Sequence, residues 1–228
     1  NWVNKVLSRA NTITSPSLFL KDFFEKLGYD VVYIPNSIDT NIFKENRNTN
    51  KFSLLWVRAF EDIYNPQLAI YSFAKVLKNF SKATLTMVGP DKGELDKCKK
   101  LIQELKLQAK IKITGFIPNH ELPNLFNSHH VYLNTTSYES FGVALIEAGS
   151  CGIPAVSTNV GEIPLIWNNE KNILLSEQTV EHFSQQIQRL LNDDNLYNTI
   201  SINCKKNVKK YDWDVVYNSW KKLINKIK

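Results

Sequence analysis

Short apolar runs alternate with longer amphipathic stretches through most of this 228-residue chain. The runs VVYIP (31–35), FSLLWV (52–57), ATLTMVG (83–89), IKITG (111–115), VYLNT (131–135) and IPAVST (153–158) are rich in Val, Ile, Thr and aromatic residues, as strands are. Between them, apolar positions recur at helical spacing over Pro66 to Phe80, Asp91 to Leu107, Asn119 to Asn127 and Gly142 to Ser150. Strand then helix, repeated at about 25–30 residue intervals, predicts βα units and a parallel sheet. The strand runs are almost continuously apolar, so helices should cover both sheet faces. The expected fold is α/β: a Rossmann-like, doubly wound parallel sheet over residues 36–200, with a helical C-terminal extension over 201–228.

The two ends read differently. NTITSPSLFLKDFFEKLGYD (11–30) holds a strand-like run, Ser15-Pro16 as a helix start and Gly28 as a C-cap. That makes one more βα unit within residues 1–35. PNSIDTNIFKENRNTNK (35–51), polar and rich in Asn, reads as a linker and is the best domain boundary. After residue 178 the pattern is wholly helical. Trp213, Val216, Trp220 and Leu223 recur every three or four positions, so the last helix should dock on something.

Composition narrows the class. The chain is 43% hydrophobic, 22% charged and 11% aromatic, which excludes collagen-like, coiled-coil and disordered readings. No apolar run approaches the ~20 residues that span a bilayer, and no charged-then-apolar leader opens the chain. Three scattered cysteines (Cys98, Cys151, Cys204) match no metal spacing and suit reduced thiols in the cytoplasm. The only methionine is Met87 and residue 1 is Asn, so the chain reads as a fragment with its natural start upstream. The formal charge is +6, and eight lysines from Lys205 to Lys228 crowd the C-terminal end. They suit a solvated helix face, or peripheral contact with an anionic membrane surface such as the inner face of the cell membrane.

In open parallel sheets, ligands bind outside the carboxyl ends of the strands. Three loops there carry distinctive residues. RAFEDIYNP follows the first strand of the main sheet and begins with Arg58; GPDKGE follows the second, with Gly89 and Lys92; TSYESFGVALIE precedes and enters a helix. Glycine at 142 lets an anion approach the amides of Phe141 to Ala144, where the helix dipole favours it. Glu139 lies just before that helix and Glu147 about one and a half turns into it. Beside a phosphate, both acids should seek hydroxyls. A nucleoside diphosphate sugar meets that demand, with sugar at Glu139, diphosphate at Phe141-Gly142-Val143 and ribose at Glu147. Two solvated acids around an ordinary helix cap satisfy the same spacing.

The stretch YESFGVALIEAGSCGIPAVSTNVGEIPLI resembles the E-x7-E signature of retaining glycosyltransferase family 4, the group 1 transferases. There the pattern commonly reads E-G-F-G, an E-A-x-A-C-G-x-P run, and a G-G-x-P-E-like turn. IPNSIDTNIF, ITGFIPNHELPNLFNSHHVYLNTTSYE and YDWDVVYNSW resemble further segments of the family, so essentially the whole chain is covered. The resemblance implies a GT-B fold, in which this chain holds the C-terminal, sugar-nucleotide lobe. Residues 1–35 would be the last βα unit of the acceptor lobe, with the C-terminal helices packing back toward that lobe. It implies metal-independent transfer with no cofactor beyond the nucleotide sugar, and a glycan or lipid-linked acceptor. Glu139 would be the catalytic residue, orienting the donor sugar near the reacting centre. Arg58, Gly89, Lys92, Ser140, Phe141, Gly142, Val143 and Glu147 would bind the nucleotide sugar, and Phe116 and Ile117 would meet the base through their main chain.

Two departures matter. Tyr64 stands where the family's clamp lysine falls, and a tyrosine brings no charge; Lys92 on the neighbouring loop is the candidate replacement. Ser140 stands where glycine is common. The four histidines add no catalytic candidate. Competing classes are a non-catalytic nucleotide-sugar-binding or regulatory subunit, favoured by Tyr64, and a nucleic-acid binder, which lacks any basic motif interleaved with aromatics.

Overall fold

The computed structural model describes residues 2–227. The chain opens with α1 (Trp2–Leu7), β1 (Ile13–Ser15), α2 (Leu18–Lys26) and β2 (Val31–Tyr33), and β1 and β2 pair in parallel. The main lobe runs β3 (Ser53–Val57), α3 (Pro66–Leu77), β4 (Thr84–Val88), α4 (Leu95–Glu104), β5 (Ile111–Gly115), α5 (Leu122–Asn127), β6 (Val131–Asn134), α6 (Val143–Ser150), β7 (Ala155–Thr158), α7 (Ile163–Ile166) and β8 (Leu174–Ser176). Three helices close it: α8 (Val180–Asn192), α9 (Asp194–Val208) and α10 (Trp213–Ile227).

The six-stranded sheet is wholly parallel, in the order β5-β4-β3-β6-β7-β8. Counted within the lobe this is 3-2-1-4-5-6, the doubly wound order whose direction of winding reverses between its first and fourth strands. Here that switch point lies between β3 and β6. Alternation along β3 shows why both faces are covered. Leu54 and Trp56 pack with Phe73, Leu101 and Phe183 on one side; Leu55 joins Phe126, Tyr132, Leu145 and Cys204 on the other.

Caps set several helix starts. Asn65 accepts from the Leu68 amide ahead of Pro66 at α3, and Thr179 accepts from His182 at α8. Ser17, rather than Ser15, caps α2, because its hydroxyl accepts from the Leu20 amide. Gly28 follows that helix at φ +89°, as its C-terminal turn requires. The strand β8 escapes the sequence pattern, being three residues of LLS framed by loops.

Two boundaries differ from expectation. The stretch 35–51 is no loose tether: Ile38 and Phe43 are buried in the second core, and Asn127 Oδ1 accepts from the Asn46 amide at 2.8 Å. Helix α9 runs unbroken through residue 200, and its Cys204 and Val208 belong to the lobe's core, so a division at 200 cuts a packed helix. On α10, Val216 is buried, whereas Trp213 and Trp220 remain exposed. The three cysteines are free and buried. Among the described residues, no helix is long and apolar enough to cross a membrane.

Candidate functional site

The carboxyl edge of the sheet at its switch point gathers most of the singled-out residues. Arg58 follows β3 directly, and its amide bonds to Val88 O. The loop after β6 is stapled to the turn after β3: Ser137 N donates to Ile63 O at 2.7 Å, and Thr135 Oγ1 to Tyr64 O at 2.8 Å. These bonds bring Glu139 to Arg58. Arg58 Nη2 donates to Glu139 Oε2 at 2.6 Å, and both side chains are largely buried. The same nitrogen reaches Asn134 Oδ1 at 3.5 Å, while Nε is buried with no hydrogen-bond partner among the described residues.

The guanidinium is embedded among groups that favour its charge. Burial opposes ionisation, but Tyr132, Glu139, Tyr64 and Glu147 outweigh it and push the Arg58 pKa up. The Tyr64 ring lies 5.3 Å from the guanidinium carbon, in cation–π contact. The position that departs from the family's lysine is therefore spent on holding Arg58 in place.

Gly142 takes left-handed backbone (φ +87°) at the N-cap of α6, and Leu145 N bonds to Gly142 O at 2.9 Å. The amides before Leu145 lack intrahelical acceptors and point along the helix axis toward the edge. Phe141 is buried and its amide donates to Glu139 Oε1 at 3.3 Å. Glu147 is 8% exposed, and burial raises its pKa to about 7 against the lowering pull of Arg58. A carboxyl poised near neutrality beside a cation suits hydrogen bonding to hydroxyls.

The remaining predicted residues sit on neighbouring loops of the same edge. Gly89 packs directly on Arg58: a Cβ there would lie 1.7 Å from the Arg58 carbonyl oxygen, so only glycine fits. Lys92 is anchored by its amide to Phe60 O at 3.0 Å, but its side chain is exposed and forms no ion pair among the described residues. Phe116 is exposed and Ile117 half-buried after β5; Ser140 and Val143 flank the helix start. Asn134, Tyr132 and Glu162 were not picked out from the sequence. Each leaves a trace there, since each is a polar group inside an otherwise apolar run. His129 and His130 serve the fold: the first bonds to Thr86 Oγ1, and the second stacks on Tyr197 at 4.1 Å. Among the described residues, no cluster of His, Cys, Asp and Glu could hold a metal.

A doubly wound parallel lobe with an arginine–glutamate pair and a helix N-terminus at its switch point belongs to the Rossmann-like α/β class, of the GT-B type. The family model for glycosyl transferases group 1 matches residues 37–207, and the chain belongs to that family. A probable sucrose-phosphate synthase of Thermosipho melanesiensis is 28% identical over 214 residues, covering 90% of this chain and 49% of that protein. The crystal structure of HepE of Anabaena in complex with UDP-glucose superposes with a TM-score of 0.88 at 19% identity, over 98% of this chain and 66% of that one. The C-terminal domain of a group 1 family protein (LpcC) from Francisella tularensis gives a TM-score of 0.71 at 22% identity, over 77% of this chain and 99% of that domain. The chain spans about half or less of the length of the curated relatives it matches.

Proposed function

We propose that this chain is the sugar-nucleotide lobe of a retaining, metal-independent glycosyltransferase that moves a hexose-type sugar onto a glycan, lipid or other acceptor. Arg58 beside Glu139 at the switch point is the observation that carries the reading. A guanidinium with a buried, unpartnered Nε–H and a helix N-terminus converge where a diphosphate leaving group would develop charge. The bond from the anomeric carbon to the diphosphate breaks with oxocarbenium-like character; the acceptor hydroxyl oxygen bonds to that carbon on the same face, and its proton passes to the departing diphosphate oxygen. Glu139 orients the sugar, the amides at Gly142–Val143 and Arg58 hold the diphosphate, and Glu147 takes the ribose. Gly89, Lys92 and Ser140 complete the phosphate and sugar contacts, and Phe116 and Ile117 flank the base. The UDP-glucose in HepE supports a uridine nucleotide as the first to test. Residues 1–35 would be the last βα unit of an acceptor lobe, the C-terminal helices would pack toward that lobe, and the isolated fragment would be inactive. The working site would be the cytoplasm, with the lysine-rich end touching the anionic inner membrane face during polysaccharide or glycolipid assembly.

Calorimetric titration with UDP, GDP, ADP and their sugar derivatives tests this. Saturable binding of one nucleotide, weakened at least about tenfold in Glu147→Ala, supports the reading. Failure of the full-length protein to bind any of them overturns it. Tyr64 at the clamp position favours one second reading, a non-catalytic nucleotide-sugar-binding subunit. Binding without any turnover of the bound sugar nucleotide in the full-length protein would select it.

A further inference from the structure

Glu162 is wholly buried, and the transfer chemistry above does not use it. Its carboxylate accepts from Ser17 Oγ at 2.8 Å, from the Leu18 amide at 2.9 Å and from the Phe19 amide at 2.7 Å. These are the N-cap hydroxyl and the first two amides of α2, which have no acceptors within their own helix. A carboxylate at a helix N-terminus is favoured by the dipole as well as by the bonds. The cap comes from a residue 143 to 145 positions away, across the join between the β1–α2–β2 unit and the main lobe.

The other end of Glu162 reaches the site. Its backbone amide donates to Glu139 O at 2.9 Å. The preceding Gly161, at φ +55°, passes so close that a Cβ would lie 2.1 Å from that same oxygen. A second contact runs in parallel: the Phe19 ring meets Tyr138 edge-on at 5.8 Å, one residue before Glu139. The start of α2 thus touches the 138–142 loop from two sides, through Glu162 and through Phe19.

We infer that Glu162 is a positioning residue for Glu139, tying the sugar-facing loop to the start of α2. The inference rests on the reading of Glu139 as facing the sugar. The carboxylate fixes residue 162 against the start of α2, and the backbone amide of the same residue carries that position to the Glu139 carbonyl. Displacement of α2 relative to the lobe is then transmitted to Glu139 through a short chain of hydrogen bonds.

The test uses the full-length protein with Glu162→Gln and Ser17→Ala. Glutamine keeps the shape but has one acceptor oxygen, so its NH2 must face either the Leu18 amide or the pair formed by the Ser17 hydroxyl and the Phe19 amide. Ser17→Ala removes one bond to Glu162 together with the hydroxyl cap on the Leu20 amide, and leaves both amide bonds to Glu162 in place, so it perturbs the same contact more mildly. Three readouts are taken: UDP affinity by calorimetry, release of the nucleotide from UDP-glucose, UDP-N-acetylglucosamine or GDP-mannose, and hydrogen exchange of the amides from Ser140 to Ala144. In Glu162→Gln, kcat is expected to fall about tenfold with KM and UDP affinity within about threefold, because misplacing a reacting group acts on the transition state. Exchange at 140–144 is expected to quicken in both variants, less in Ser17→Ala. A lower melting temperature with wild-type kcat and wild-type exchange overturns the inference. If the wild-type protein neither binds nor turns over any of these nucleotides, the transferase reading fails, while the exchange data still decide whether Glu162 holds the loop.

Discussion

Arg58 and Glu139 stand 81 positions apart in the chain, yet Nη2 of the one lies 2.6 Å from Oε2 of the other. Doubly wound strand order makes this pairing: β3 and β6 are neighbours, so the loops that leave them meet at one edge. Each residue limits the other's freedom, and on the function proposed above both would face the diphosphate sugar. On that proposal, an entering diphosphate would share a guanidinium that Glu139 already holds.

Removing Arg58 should therefore act on binding and stability together. Arg58→Ala leaves Glu139 without its ion-pair partner and is expected to destabilise the fold by on the order of 3 kcal/mol, the low end for a buried pair because neither side chain is fully buried. UDP affinity should fall at least about tenfold, and Arg58→Lys should recover little of it because the planar fork is lost. Chemical denaturation and calorimetry on the same preparations check both. Unchanged UDP affinity in Arg58→Ala would remove the residue from the site.

Glu147 gives the lobe a distinctive pH response. Its carboxyl ordinarily titrates at 4.5 but is raised to about 7 here, chiefly by burial. Between those values the folded state holds a proton that the unfolded state has released, so stability falls as pH rises through this window. The separation bounds the effect at ~3 kcal/mol. Glu147→Gln should flatten the slope of unfolding free energy between about pH 4.5 and 7, and its gain over wild type should be full above that window. Parallel profiles for the two proteins would contradict the burial argument.

Tyr64 and Lys92 divide the question of the missing clamp cation. Tyr64→Lys should tighten UDP binding a few-fold at low salt and make it more salt-dependent, since it adds a charge to an anion site. Tyr64→Phe keeps the ring under Arg58 and should change little. If Lys92 supplies the absent charge, Lys92→Ala weakens UDP binding several-fold; wild-type affinity in that variant would end the compensation idea.

Gly89 is the glycine least able to change. A Cβ placed 1.7 Å from the Arg58 carbonyl oxygen must displace backbone, because no flexible side chain is there to yield. Gly89→Ala is expected to lower stability by about 3 kcal/mol or more and to abolish UDP binding. A variant that melts within a degree or two of wild type would show that the loop relaxes.

Much of the fold was legible because parallel strands buried on both faces write themselves as apolar runs. Six strands and the helices between them follow from that pattern and from Pro, Gly and Asn at their ends. LLS at 174–176 was too short to stand out, and the packed role of 35–51 was masked by its polar composition, since only Ile38 and Phe43 enter the core. Within the site, the acid pair and Gly142 were visible because all three lie within nine consecutive positions. Other relationships were not visible. That Arg58 holds Glu139, that the Tyr64 ring lies under the guanidinium, and that Glu162 reaches back to Ser17 all depend on residues far apart in the chain. The sequence by itself determined the alternation of elements, the parallel sheet and the candidate acids, because local periodicity and helix-end chemistry are local properties. Only the tertiary structure decided which side chains meet at the switch-point edge, because strand order is set by how the whole sheet packs.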